Sequence, residues 1–306
     1  MDTSCGIAGI KYDCLLFDMD DTLYPLSSGL NLACRKNIEE YMLKHLHMDE
    51  SKVPKICLDF YKEYGTTMAG LKAFGYEFDD DEFHAYVHGR LPYGNLKPDP
   101  VLRNLLLSMP QRKIVCKYFM LVCSAESIPY NSKTIKWPSQ VFTNADEAHA
   151  HQVLNRLGLV ECFDSIICFE TLNPPNHANV TTDNRVLAWS NSLNKEYCNQ
   201  VESECFNSKT QILCKPSVEA IEAAIHIANV DPRKTLFFDD SARNIASGKA
   251  AGLNTVIVGR SDLVPGADHA LNSIHNIKEA LPEIWEVEGD QQQIIQSQAV
   301  ETMVLA

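Results

Sequence analysis

The feature that most constrains the fold is a set of short apolar runs, each ending in a carboxylate or hydroxyl. Tyr12–Asp18 reads YDCLLFD, Val141–Asn144 reads VFTN, and Thr235–Asp240 reads TLFFDD. Runs this short and continuously apolar, followed at once by turn-formers, predict strands buried on both faces. Further strands are expected at Ser165–Phe169 and Thr255–Val258. Helical patterns separate them at Val101–Met109, Asp146–Leu157, Val218–Ala228 and Ala242–Ala251. Strands alternating with helices imply an α/β fold with a parallel, Rossmann-like sheet and right-handed crossovers. Functional groups should then gather at the C-terminal ends of the strands.

Residues 28–97 break the alternation. Apolar residues recur there at three- and four-residue steps, as in Leu30, Ile38, Tyr41, Met42 and Leu46, and again from Ile56 to Leu71. Acids at 79–82 precede Phe83, Tyr86 and Val87, as at a helix N-terminus. This stretch is read as all-helical, inserted into a core formed by 1–27 and 98–285. Residues 171–210 are polar and read as a long surface loop, and the Gln-rich 286–306 as a frayed tail.

Composition narrows the partners. The 306 residues carry 40 acids and 27 bases, a formal charge of −13, which repels phosphate backbones and anionic lipid. No polymeric nucleic acid and no membrane is expected as partner. The eleven cysteines are odd in number, have no CxxC spacing and scatter through core-like segments, the pattern of reduced intracellular thiols. With no apolar leader or span, the expected location is cytoplasmic.

In a parallel sheet, Asp18, Asp20, Thr143, Asn144, Asp239, Asp240 and the Lys215 of ILCKPS converge on one edge. Clustered carboxylates repel unless a cation sits among them, and hard Mg²⁺ suits oxygen donors. A carboxylate nucleophile, a hydroxyl and an ammonium around such an ion form a phosphoryl-transfer device.

DMDDT, TN, KP and DD in this order resemble the haloacid dehalogenase superfamily, over about residues 12–260. The resemblance implies a helical cap at 28–97 and an aspartyl-phosphate mechanism. Asp18 would be the nucleophile, and Asp20 the acid/base that protonates the leaving group and then activates water. Thr143, Asn144 and Lys215 would hold phosphate, and Asp18, Asp20 and Asp240 would make up the Mg²⁺ site. Asp239 stands where many members have Gly, and Asn244 where many have a further acid. An acid at position 20 favours phosphate ester hydrolysis over carbon–halogen cleavage. YKEYGTTMAGL (61–71), FHAYVHGRLPY (83–93) and LKPD (96–99) resemble the pyrimidine 5′-nucleotidase-like branch. That likeness implies a small phosphorylated metabolite, a nucleoside monophosphate, as substrate, with Tyr64, His88 and Arg90 as cap contacts. The alternatives are a phosphatase or mutase of another small ester such as a sugar phosphate, or an inactive isoform. The pairs His84/His88 and His149/His151 are read as ordinary helix surface rather than as ligands.

One segment does not fit. Gln111–Ile114 starts a strand and Val141–Asn144 ends one, but 26 residues, 115–140, separate them. Removing them leaves QRKI-VFTN, a continuous strand entering the motif. The segment begins with Val, whose codons start GT, and ends with Gln, one of whose codons ends AG, as a retained in-frame intron would. On this reading, 115–140 interrupts a central strand and lowers stability.

Overall fold

In this computed structural model the described residues are 11–109, 111–112, 135–136, 139–174 and 212–285. The first apolar run becomes β1 (Cys14–Phe17), buried at every position. A two-residue pair, β2 (Gln111–Arg112) and β3 (Ile135–Lys136), lies antiparallel outside the main sheet. β4 (Ser139–Phe142), β5 (Ser165–Ile167), β6 (Thr235–Asp239), β7 (Asn254–Val258) and β8 (His269–Leu271) complete the strands.

Six strands form one parallel sheet in the order β5-β4-β1-β6-β7-β8. Counted along the chain this is 3-2-1-4-5-6, the doubly wound Rossmann order, with its switch point between β1 and β6. The expected α/β parallel sheet is therefore the fold observed.

Alternation sends successive side chains to opposite faces. Leu15, Phe17, Val141, Leu236 and Phe238 pack on one side, where Phe17 and Phe238 stack at 4.5 Å. Leu16, Phe142, Phe237 and Ile257 pack on the other. The first face is covered by α5 (Pro100–Leu107) and α6 (Glu147–Leu157), through Leu102, Leu106, Val153 and Leu154. The second is covered by α8 (Val218–Ala228) and α9 (Ala242–Ala250), through Ile221, Ala224 and Ile245. Burial on both faces explains why these strands read as continuous apolar runs.

Residues 28–97 contain helices and no strand. The helices are α1 (Leu30–Lys44), α2 (Val53–Tyr64), α3 (Thr67–Ala73) and α4 (Asp80–Val87). Asp79 caps α4 by accepting from Glu82 N, with three acids in the first turn. These helices share a separate cluster around Tyr41, Met42, Phe60, Leu71 and Phe83. Phe169, the first residue of the short α7 (Phe169–Leu172), joins that cluster from the sheet side. The strand expected over 165–169 thus stops at Ile167. A last short helix, α10 (Ile277–Ala280), buries Ile277 against the first face. No helix among the described residues is long and apolar enough to cross a membrane. Of the loop expected at 171–210, residues 171–172 instead end α7 and 175–210 lie outside the described residues, as does the tail expected at 286–306.

The anomalous segment behaves differently from expectation at its end. Ser139 and Gln140, assigned to it by sequence, form the first half of β4, in register with Leu15 and Leu16. The strand is not cut at Val141. Residues 115–134, including Tyr118–Cys123, lie outside the described residues. The substitution has a cost, because Gln140 is buried on the Phe142 side of the sheet and its Oε1 has no partner among the described residues. An orphaned buried acceptor costs about 1–3 kcal/mol. With 115–140 deleted, Ile114 falls at the Gln140 position and Lys113 at Ser139, beside the Asp164 carboxylate. Deletion of 115–140 is therefore expected to raise the melting temperature by a few degrees. A thermal melt of both chains checks this, and an equal or lower midpoint for the deletion refutes it.

Candidate active site at the switch point

Asp18 is the residue after β1, and its N–H continues the ladder to Phe238 O at 2.8 Å. Asp239 ends β6 on the neighbouring strand, so the switch point is flanked by two carboxylates. Between them sits Lys215, 1% exposed. Its Nζ donates to Asp18 Oδ1 (2.7 Å), Asp239 Oδ2 (2.9 Å) and Phe142 O (2.7 Å), which uses all three ammonium protons. Burial would lower the Lys215 pKa, but Asp18 and Asp239 outweigh it and hold the group cationic. The other Asp18 oxygen, Oδ2, accepts from Thr22 Oγ1 at 2.8 Å.

Asp18, Asp239 and Asp240 can each bring a carboxylate oxygen within 4.8 Å of the others. One ammonium does not balance three carboxylates. Burial pushes Asp18 well above the usual range; Lys215 opposes this, and Asp239, Asp240 and Asp20 add to it. Asp240 is pushed up to about 7 by burial and by Asp239 and Asp21. An all-oxygen donor set with surplus negative charge fits a hard divalent cation.

Several residues take roles that the sequence did not assign. Asp239, at the position of a common Gly, is fully buried and saturated: besides Lys215 it accepts from Ser241 N (2.9 Å) and from Asn244 Nδ2 (3.0 and 3.1 Å). Asn244 therefore fastens Asp239. Asn144 spends its side chain on the Lys215 backbone, donating to Lys215 O (2.9 Å) and accepting from Lys215 N (2.8 Å), so it anchors the lysine rather than pointing at a phosphate. Thr143, buried at the end of β4, accepts from Ala145 N at 3.1 Å. Asp20 is not part of the carboxylate cluster. Its Oδ1 accepts from Tyr24 OH and from His149 Nε2 at 2.9 Å. Burial would raise its pKa, but His149 and Tyr24 hold it down at about 2.

A cavity of about 570 Å³ opens from this edge toward the helical segment. Asp20, Asn144 and Asp240 line one end, and Ile38, Met68 and Phe83 line walls further in. Of the three expected contacts, His88 lines it. Tyr64 instead packs its ring edge-on against Phe60 and Phe74. Arg90 lies over Tyr86 and pairs with the Glu40 carboxylate at 2.7 Å, away from the cavity, because that solvent-side pair satisfies its fork. The segment also touches the lysine loop. Gly65 has φ +88°, and a Cβ there would lie 2.3 Å from Lys215 O, so only glycine fits.

The residue most clearly missed is His149, 3% exposed, one turn into α6. Its spacing from His151 suggested helix surface. The available signal was Asp146, which caps α6 and thereby points the helix start at the site. His84 is likewise buried, with Nδ1 unpartnered among the described residues and its ring edge-on to Phe169 at 4.6 Å.

Burial, with help from His88 and His149 and against Asp146 and Asp80, pushes His84 down to about 4 from 6.5. The unfolded chain then binds the extra proton between those values, so His84 makes stability fall as pH drops from 6.5 toward 4. The loss between pH 7 and 5 is about 2 kcal/mol. His84→Phe, which suits the aromatic surroundings, is expected to flatten the dependence. Urea unfolding at pH 7 and 5 checks this, and an unchanged difference between the two pH values rejects the assignment.

No family model matches the chain. It is similar to phosphate metabolism protein 8 of Saccharomyces cerevisiae, 24% identical over 246 residues, which cover 79% of this chain and 60% of the yeast protein. Among solved structures it is similar to a HAD phosphatase of Thermococcus onnurineus (13% identity, TM-score 0.45, covering 87% of this chain and 96% of that one). It is also similar to L-2-haloacid dehalogenase of Xanthobacter autotrophicus (11%, TM-score 0.44, 88% and 97%). The strand order and the placement of the four motifs, in sequence order, at the C-terminal edge around the switch point are what the sequence resemblance to the haloacid dehalogenase superfamily implies.

Proposed function

We propose that this chain is a Mg²⁺-dependent phosphomonoester hydrolase that works through an aspartyl-phosphate on Asp18. The observation that carries this reading is the pairing of two carboxylates with different surroundings. Asp18 is locked between Lys215 and Thr22, whereas Asp20, side chain 37% exposed, faces the cavity and is held apart by His149 and Tyr24. One is built as a fixed nucleophile and the other as a proton carrier.

In the first half-reaction an Asp18 oxygen attacks phosphorus. The P–O bond to the alcohol breaks, and Asp20, ionised in the free site, takes up a proton from solvent as the phosphate dianion arrives and gives that proton to the departing oxygen. In the second half, Asp20 takes a proton from water, the hydroxide oxygen bonds phosphorus, and the Asp18–phosphorus bond breaks to release phosphate. Lys215, fixed by Asn144, opposes the burial that favours the protonated Asp18 and supplies positive charge beside the transferring group. Thr143 ends the neighbouring strand β4 on the same edge and is assigned to the phosphate oxygens. Mg²⁺ would be held by Asp18 and Asp240, with Asp239 behind them, and when bound would supply the charge neutralisation that three carboxylates and one ammonium lack.

The helical segment 28–97 serves as the cap, and we assign the substrate to the nucleoside 5′-monophosphates of the pyrimidine type. The likeness of 61–71, 83–93 and 96–99 to the pyrimidine nucleotidase-like branch supports this, as does a cavity large enough for a nucleoside. The yeast relative's name refers only to phosphate metabolism, and this chain spans about 60% of that protein.

Asp18→Asn and Asp20→Asn are each expected to abolish phosphate release while leaving the melting temperature within a few degrees. Full turnover in either variant rules the mechanism out. In a panel of phosphate esters assayed with Mg²⁺ and with a chelator, UMP and CMP should be hydrolysed faster than hexose phosphates, and only with metal. A preference for sugar phosphates, or transfer of phosphate between sugar hydroxyls, would instead support the sugar-phosphate reading.

A further inference from the structure

We infer that His149 is a positioning residue for the acid/base Asp20, registered from the helical segment by Tyr93 and His88. This rests on the hydrolase reading above and concerns a residue outside the four motifs.

Asp20 needs a defined carboxylate orientation, because one oxygen must meet the leaving oxygen and later a water at the same place. A partly exposed Asp side chain has free rotamers unless something fixes it. Here two donors, Tyr24 OH and His149 Nε2, converge on Oδ1, and no hydrogen bond among the described residues reaches Oδ2. Oδ2 is left to carry the proton.

His149 is itself held from three directions. Its Nδ1 lies 2.7 Å from Tyr93 OH, its ring stacks on His88 with centroids 4.5 Å apart, and its backbone N–H is received by the capping Asp146 Oδ2 at 3.4 Å. Tyr93 OH donating to Nδ1 leaves the ring proton on Nε2, the atom that faces Asp20. Asp146 also binds His88 Nδ1 through its other oxygen. Tyr93 and His88 belong to the helical segment, whereas His149 and Asp146 belong to the sheet side. The four close a circuit that joins the seating of that segment to the orientation of Asp20. A buried histidine with both nitrogens engaged, one of them on the acid/base carboxylate, is more than core filling.

The test exploits leaving groups. UMP loses a poor leaving group that needs the Asp20 proton, whereas p-nitrophenyl phosphate loses an anion that leaves unaided. kcat/KM, which reports steps up to leaving-group departure, is measured for both esters with Mg²⁺ in the full chain and in His149→Leu, His149→Gln and Tyr93→Phe. His149→Leu should lower kcat/KM for UMP by about 10²-fold and that for p-nitrophenyl phosphate by less than about tenfold. His149→Gln keeps an N–H donor and should recover most of the loss. Tyr93→Phe should show the same selectivity in milder form. Equal losses on both esters, or a Gln variant no better than Leu, overturn the proposal. If His149→Leu does not fold, the Gln and Tyr93→Phe variants decide it: a Tyr93→Phe loss equal on both esters refutes it. A wild-type chain that releases phosphate from neither ester refutes the hydrolase reading, whereas an active wild type with an unchanged ester ratio in the variants refutes only the role of His149.

Discussion

The Lys215 ammonium, buried between Asp18 and Asp239, is the interaction on which the rest of the site depends. Taking a lysine to 1% exposure costs several kcal/mol unless its charge and all three protons are met. The sheet meets them with two carboxylates at the ends of adjacent strands and a carbonyl at the end of a third. That works only at the C-terminal edge of β1, β4 and β6, where the doubly wound order brings these strands side by side. The ion cluster is weak evidence for stability, since well-packed apolar groups would do as well there. Its arrangement is that of preorganised charge, fixed in place by the sheet.

The same cluster explains which sequence signals were legible. β1 and β6 read directly as CLLF and TLFFD, because a central strand buried on both faces must be continuously apolar. The helices of 28–97 were legible from their spacing, and α8 from its period over Val218–Ala228. β8 was not read, because His269–Leu271 is three residues long and half exposed at the sheet edge, too short for a period. β4 was misplaced because its first half, Ser139–Gln140, is polar, and pairing with β1 overrides that local preference.

Within the site, the motif residues that carry charge were readable, but the supports behind them were not. Asp18, Lys215, Asp239 and Asp240 converge as their spacing along a parallel sheet requires. Asn144 and Asn244 were read as ligands because their positions matched a pattern, yet both amides are used to hold charged neighbours. An amide matches a backbone amide or a carboxylate equally well, and only the fold says which it meets. Tyr64, at the end of α2, and Arg90, in the turn after α4, are close in sequence to residues that do reach the cavity, but their own side chains pack elsewhere. His149 was missed for the converse reason: its partners, Asp20 and Tyr93, lie 129 and 56 residues away.

These supports also tie one helical segment to both Asp18 and Asp20. It meets the sheet side at two separate points. At the first, Gly65 approaches the Lys215 carbonyl so closely that no side chain fits, and Cys214 Sγ donates to Tyr64 O at 3.2 Å, so the lysine that binds Asp18 is braced from the segment. At the second, Tyr93 and His88 grip His149 and Asp146, and His149 in turn holds Asp20. Thr66, next to Gly65, caps α3 by accepting from Ala69 N, and the following helix continues the cavity wall through Met68. A shift of the segment would therefore disturb the cavity, the lysine and Asp20 together. The cavity wall, the Lys215 loop and the Asp20 supports are in that sense one packed unit, because the segment's contacts with all three come from α3, from the turns that follow α2 and α4, and from Tyr93.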